Sequence, residues 1–334
     1  MGLFRKTKSK KSVSVVRILS AVLVLGVLVL IVAESAKYLY VAEVPKSVSS
    51  KIDPSVGKLA SVLGAAKTSM ESVGNIFTKD DTSGTTSRSD DNVTKTSKEV
   101  VSRIAVLSDS HNNLENLKSA LEKAKNLKVE EAVFLGDYTD WGEEVNLSKS
   151  KEIMDQAGIK YVSLPGDHDL GETSDESNFI KVFGNKTYGV WEQDGFEFMY
   201  FDNSKNHTVI DSGNIEWFKN NINSIDFLFL SQPLVTSGMS RVMGIIDDVK
   251  DEAVYAQNKE LLDLIRSSKV RAIISGDLHE FSHYVDPVKK NLQHFTVGAL
   301  VSQGLDTKNI YPPRFVVLNI FDDNSYSVDD TPID

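Results

Sequence analysis

The sequence predicts an α/β domain over residues 99–334, carried behind an N-terminal membrane span and a stalk. Short apolar runs at 104–107, 132–135, 161–164, 227–230 and 272–274 are each bounded by polar turns, the texture of strands buried on both faces. Helix-like stretches at 114–127, 148–157 and 256–267 lie between several of them, as connections between parallel strands require. Ahead of the domain, the run 18–33 is apolar except for Ser20 and Gly26.

That run is slightly short for a bilayer span of roughly 20 residues. Residues 12–16 extend it, and Arg17 can snorkel back to the interface. Six basic residues and no acid precede residue 18, while Tyr38 and Tyr40 sit where an interfacial aromatic belt belongs. This charge bias predicts a single-pass anchor at 12–33, with a cytoplasmic tail at 1–11 and the body outside the cell membrane. A cleaved signal peptide ending near Ala33 is the competing reading. The length of the apolar run favours an uncleaved anchor.

Residues 34–98 read as stalk and linker. Asp53-Pro54 has the form of a helix start. Val56, Leu59, Leu63, Met70 and Val73 form an intermittent apolar stripe on which two copies can pair. Residues 79–98 are mostly Ser, Thr, Asp and Lys, a composition that cannot bury a core.

The formal net charge is −10. With the basic residues concentrated in the tail, the body is more acidic still, which argues against nucleic-acid binding. There is no cysteine, so disulfides and thiolate metal sites are excluded.

The polar turn at the end of each apolar run carries the chemistry. Residue 107 leads to Asp109-Ser110-His111, and residue 135 to Gly136-Asp137-Tyr138-Thr139-Asp140. Residue 164 leads to Pro165-Gly166-Asp167-His168-Asp169, residue 230 to Ser231-Gln232, and residue 274 to Gly276-Asp277-Leu278-His279. Ligand sites in α/β sheets lie beyond the carboxyl ends of the strands. Taken singly, an Asp-x-His or a Gly-Asp turn is usually only surface or turn chemistry. Jointly, three of the six histidines and several acids fall at successive strand ends. Carboxylates with imidazoles suit divalent cations. Paired ions can activate water and clamp a phosphoryl oxygen, while a nearby histidine donates a proton or stabilises charge.

These motifs, in this order, resemble the calcineurin-like metallophosphoesterase superfamily over roughly 101–318. The family pattern is Asp-x-His, Gly-Asp-x-x-Asp, Gly-Asn-His-Asp/Glu, a strand-end His, and Gly-His-x-His. The resemblance implies a four-layer αββα sandwich of two central sheets flanked by helices. It implies hydrolysis of a phosphate ester with one or two divalent ions (Mn, Fe, Mg or Zn). Carried over, Asp109, His111 and His279 bind the first ion and Asp137 bridges. His168 is the catalytic histidine, oriented by Asp169.

All departures from the pattern fall at the second ion. Asp167 stands for Asn, Asp277 for His, and Ser231 or Gln232 for the strand-end His. The second set then becomes Asp137, Asp167, Asp277 and Gln232, all oxygen, which suits Mn²⁺ or Mg²⁺ better than Zn²⁺. Either the site is retuned, or it binds metal weakly and the chain is an anchored binding module. A third reading comes from His279-Glu280-Phe281-Ser282-His283, which matches the zinc-protease signature. That signature works only on a helix, and here it comes directly after a strand. Of the three tryptophans, Trp191 and Trp217 are expected in the core. Core is the default for Trp141 too, with the substrate mouth as its alternative.

Overall fold

Strand β1 (Val100–Leu107) turns Ile104 and Val106 to one side and Ala105 and Leu107 to the other. All four are fully buried, so neither face of this strand meets solvent. The computed structural model describes residues 98–184, 186–234, 241–246, 249–302 and 310–334. The expected tail and anchor lie outside the described residues, as do the stalk and linker apart from Lys98. The described residues from 98 to 334 fall in one compact unit. Among the described residues no helix is long and apolar enough to cross a membrane.

From β1 the chain runs through helix α1 (Leu114–Asn126) to β2 (Glu131–Phe134), then through α2 (Glu144–Ala157) to β3 (Lys160–Ser163). Both strands pair in parallel, with Val106 opposite Val133 and Val133 opposite Val162. Helix α3 (Ser177–Phe183) leads to a second sheet built from β4 (Tyr188–Gln193), β5 (Phe196–Phe201) and, after helix α4 (Ser212–Asn221), β6 (Phe227–Leu230). The short hairpin β7 (Ile245–Ile246) and β8 (Val249–Lys250) precedes helix α5 (Glu252–Ser267). Strands β9 (Ala272–Ser275), β10 (Ser282–Val285) and β11 (Gln293–Thr296) complete this sheet in the order β10-β11-β9-β6-β5-β4. The last strands, β12 (Arg314–Phe321) and β13 (Tyr326–Pro332), return to the first sheet, ordered β13-β12-β1-β2-β3.

Three apolar clusters fix the layers. Ile104, Val106, Val133, Val316 and Leu318 of the first sheet meet Phe198, Phe227, Phe229 and Ile274 of the second. The outer face of the first sheet packs on Leu117 and Leu121 of α1, Met154 of α2 and Phe179 of α3. The outer face of the second packs on Phe218 of α4 and Leu261 and Ile265 of α5. The result is a mixed α/β sandwich with the sheets back to back between helices. Truncating Leu117 to Ala would cost roughly 2–5 kcal/mol, because the transfer energy and a residual cavity add.

Local chemistry sets the helix starts. The Asn113 side chain accepts from the Asn116 amide, and Asp251 accepts from Ala253 and Val254. The Asp251 cap starts α5 at Glu252, one turn before the predicted 256. Helix α2 likewise begins at Glu144, four residues early, and stops at Gly158 in the left-handed conformation. Trp191 stacks on Phe198 and Phe229, with centroids 4.9 and 5.7 Å away. Trp217 packs with Tyr188. Trp141 is 59% exposed, so the core placement fails for it.

Candidate metal centre

Five strand ends from two sheets deliver the site. Asp109 and His111 come after β1, Asp137 after β2, Asp167 and His168 after β3, Gln232 after β6, and Asp277 and His279 after β9. Backbone bonds lock neighbouring loops together: the Asp109 amide donates to the Gly136 carbonyl at 2.9 Å, and the His111 amide to the Asp137 carbonyl at 3.0 Å. Between sheets, the Asp277 amide donates to Asp109 Oδ2 at 3.3 Å.

The backbone is forced at this junction. Asp109, His111, Asn112, Asp137, Asp277 and His279 all have φ between 42° and 72°. Residues with a Cβ rarely adopt that conformation, Asn and Asp more readily than the rest. A cluster of such residues is typical of functional sites held by their surroundings. Two glycines permit the close approach. Gly136 has φ 114°, and a Cβ there would strike the Gly166 backbone. A Cβ on Gly166 would strike the Asp137 carboxylate. These two glycines therefore bring the β2 and β3 loops against each other.

Two groups of candidate ligands result. In the first, one atom each from Asp109, His111 and His279 lies within 4.8 Å of the others. The Nε2 atoms of His111 and His279 are 3.0 Å apart, and His279 Nε2 is 3.3 Å from Asp109 Oδ1. That oxygen is buried without a well-formed hydrogen bond among the described residues. Burial pushes the Asp109 carboxyl up, but the His279 and His111 rings hold it at about 2. Burial pushes the His111 imidazole down, toward the neutral form that binds metals. One carboxylate and two imidazoles converging on a point fit a divalent ion.

The second group is Asp137, Asp167 and Asp277, again within 4.8 Å. Burial and then the neighbouring carboxylates, Asp167 foremost, push Asp137 well above the usual range. Asp277 is raised to about 6 by burial and Asp167, with Arg241 opposing. Three oxygens suit a hard cation chemically, but a cationic side chain is already engaged there. Arg241 Nε lies 3.0 Å from Asp277 Oδ2, and Nη2 lies 3.2 Å from Asp277 Oδ1 and 3.4 Å from Asp167 Oδ2.

Gln232 is buried, and its Nε2 donates to Asn206 Oδ1 and, at 3.3 Å, to the Ser204 carbonyl. Its Oε1 has no hydrogen-bond partner among the described residues. Asn206 in turn donates to Asp167 Oδ2 at 2.6 Å. Gln232 thus connects to the second group through Asn206.

The His168 ring stands edge-on to His111 with centroids 4.8 Å apart, which places it beside the first group. The orienting contact expected from Asp169 is made instead by the Asp140 carbonyl, 3.1 Å from His168 Nδ1. Asp169 is fully buried and accepts from the Tyr138, Thr139 and Gly166 amides and the Thr139 hydroxyl. It ties the β2 and β3 loops together. The Asp140 carboxylate lies 3.3 Å from His111 Nδ1 and accepts from Asn112 Nδ2 at 2.8 Å.

Residues 276–281 form no helix, and His283 lies on β10, 2.7 Å from Gln293 Oε1. The two histidines of the protease-like motif therefore do not share a helical face, and that reading is set aside. His294 is buried, with Nε2 3.1 Å from Asp286 Oδ2. Sequence reasoning missed Asp140, Asn206 and Arg241 as site residues. Asp140 alone carried a signal, as the last residue of Gly-Asp-x-x-Asp.

The family model described as calcineurin-like phosphoesterase matches residues 102–281, and the chain belongs to that family. Among solved structures it is similar to a dimetal phosphatase from Danio rerio, at 11% identity and TM-score 0.50, covering 71% of this chain and 98% of that one. It is also similar to a purple acid phosphatase from yellow lupin (Lupinus luteus) seeds, at 14% identity and TM-score 0.54, covering 70% of this chain and 51% of that one. At such identities the likeness is one of fold. No curated protein matches the sequence.

Proposed function

We propose that the chain is a membrane-anchored phosphoesterase that hydrolyses a phosphate ester with a divalent ion held by Asp109, His111 and His279. The observation that carries this reading is the convergence of those three side chains beside the His168 ring. The nitrogen-containing first group suits Mn²⁺, Fe²⁺ or Zn²⁺. The oxygen group has the chemistry for Mn²⁺ or Mg²⁺, but Arg241 already engages two of its carboxylates. Such an ion supplies Lewis acidity to a phosphoryl oxygen and acidifies the attacking water.

The chain's own residues supply the rest. A backbone carbonyl only accepts, so the contact with Asp140 keeps the proton on His168 Nδ1. His168 Nε2 is then the atom that exchanges protons, and in the charged form it donates to the departing alkoxide or stabilises its charge. The Asp140 carboxylate plays the same part for His111, favouring a hydrogen on Nδ1 and leaving Nε2 as the ligand. Trp141, exposed beside Asp140 with its ring over Gly171, offers an apolar wall to the ester's organic group.

Localisation at the cell membrane, a cytoplasmic N-terminus and pairing through the stalk belong to the proposal and rest on the sequence. The acidic body supports the absence of nucleic-acid binding. Strand β1 runs from Val100 to Leu107, just before Asp109, so Lys98, the first described residue, lies at the end of the strand away from the site. A catalytically silent binding module of the same fold is the second reading, favoured by the hold of Arg241 on two carboxylates.

The test uses purified full-length protein stripped of metal. Mn²⁺, Mg²⁺, Fe²⁺ or Zn²⁺ is restored singly, and hydrolysis of aryl phosphate mono- and diesters is measured. Turnover that needs metal and disappears in His168→Ala supports the enzyme. A folded protein that binds metal without turnover supports the binding module.

A further inference from the structure

We infer that Arg241 is a built-in cation standing in the place of a second metal ion, so that the chain holds one divalent ion. This deepens the metal-dependent reading above and rests on it.

Arg241 grips Asp277 as a fork, Nε to Oδ2 at 3.0 Å and Nη2 to Oδ1 at 3.2 Å, so both oxygens of that carboxylate are engaged. Nη2 also reaches Asp167 Oδ2 at 3.4 Å, an oxygen that already accepts from Asn206 at 2.6 Å. A divalent ion among Asp137, Asp167 and Asp277 would need their oxygens at roughly 2.0–2.6 Å. It would compete for the same lone pairs and sit a few ångströms from a guanidinium that cannot lose its charge. In a partly buried pocket that repulsion is weakly screened.

The position is prepared rather than incidental. Arg241 is only 19% exposed, and the next residues, Val242 and Met243, are fully buried. The Met243 amide donates to the Pro233 carbonyl at 3.0 Å, which fixes this segment to the end of β6. The two carboxylates it binds are also the two acids that replace neutral residues of the family motif. A guanidinium pairs bidentately with a carboxylate, as it cannot with an imidazole. Asp167, Asp277 and Arg241 therefore behave as one exchanged set: two neutral ligands and an ion for two acids and a fixed cation.

Ions per chain are counted by equilibrium dialysis of the metal-free full-length protein against Mn²⁺, with electron paramagnetic resonance of the bound ion. The wild type is expected to bind one ion with an uncoupled signal, and His279→Ala to lose it. Arg241→Gln is expected to take up a second ion about 100-fold more tightly than the wild type, since a like charge is removed from nearby. It should also show a spin-coupled pair. Arg241→Lys, which keeps the charge, is expected to remain at one ion. Two coupled ions in the wild type overturn the proposal, and so does a folded Arg241→Gln that still holds only one. Should Arg241→Gln fail to fold, the wild-type count decides. Aryl phosphate hydrolysis by the same samples keeps the two ideas apart, since absent turnover defeats the phosphoesterase reading and leaves the ion count standing.

Discussion

His168 Nδ1 lies 3.1 Å from the backbone carbonyl of Asp140, while the carboxylate of the same residue lies 3.3 Å from His111 Nδ1. One residue thus holds two imidazoles by different atoms, and mutagenesis separates them. His168→Ala is expected to lower kcat about 10²–10⁴-fold, the range for a lost general acid, with metal content unchanged. Asp140→Ala keeps the carbonyl but removes the carboxylate, and is expected to weaken metal binding about 10–100-fold. At saturating metal its kcat should stay within a few-fold of wild type. Metal titration beside steady-state kinetics reads both, and equal loss of kcat in the two variants would contradict the division.

The buried acids of the metal-free protein give a pH dependence of definite sign, which the buried His111 and His294 oppose. Asp169 and Asp277 are each raised to about 6, burial being the largest cause. A carboxyl raised above its unfolded value of 3.8 stabilises the fold below 3.8, and that contribution is lost as pH rises through about 6. Asp109, lowered to about 2, contributes fully above 3.8 and loses that contribution only on further acidification, so it does not oppose this. Each of these two carboxyls should therefore make the stripped protein less stable at pH 7 than at pH 5 by roughly 1 kcal/mol, the part of its shift titrated in that window. His111 and His294, lowered by burial, act in the opposite sense. A divalent ion should offset the trend, and Asp277→Asn should flatten it. An Asp277→Asn variant whose melting temperature changes between pH 5 and 7 as the wild type's does would count against this account.

Gly166→Ala is expected to disrupt the domain, because its Cβ would overlap the Asp137 carboxylate and backbone. Separating the β2 and β3 loops would also break the Asp169 hydrogen bonds that join them. A loss of about 3 kcal/mol or more in denaturant unfolding is expected, at the upper end for overpacking. Gly158→Ala meets nothing within 4 Å and loses only the comfort of glycine at φ 69°, so its cost should be near 1 kcal/mol, or about that of one unfavourable backbone choice.

Trp141→Ala is expected to leave stability within about 0.5 kcal/mol, as for an exposed side chain. It should raise KM for esters with a bulky apolar alcohol more than for small ones. Equal KM changes across a substrate series would remove Trp141 from the substrate mouth.

The alternation of strands and helices is readable in the sequence because the strands are apolar on both sides and end in polar turns. The first metal group is readable for the same reason, since Asp109, His111 and His279 each come directly after such a run. The helix starts at Glu144 and Glu252 fall a turn earlier than expected: their first turns each bury one apolar residue, Leu147 and Val254, too few to mark a period by themselves. Arg241 and Asn206 could not be found this way. They act on carboxylates distant in the chain and belong to no periodic segment. The role expected of Asp169 fails because adjacency to His168 says nothing about which amides its carboxylate reaches.

The left-handed backbone at Asp109, His111, Asn112, Asp137, Asp277 and His279 has a consequence for laboratory evolution. Glycine adopts that conformation without penalty, so replacing these residues by glycine relieves the backbone while deleting the ligands. A library of this chain sorted only for heat resistance would drift toward variants that melt later and do no chemistry. Thermostable descendants worth keeping would have to be sorted for retained metal at every round.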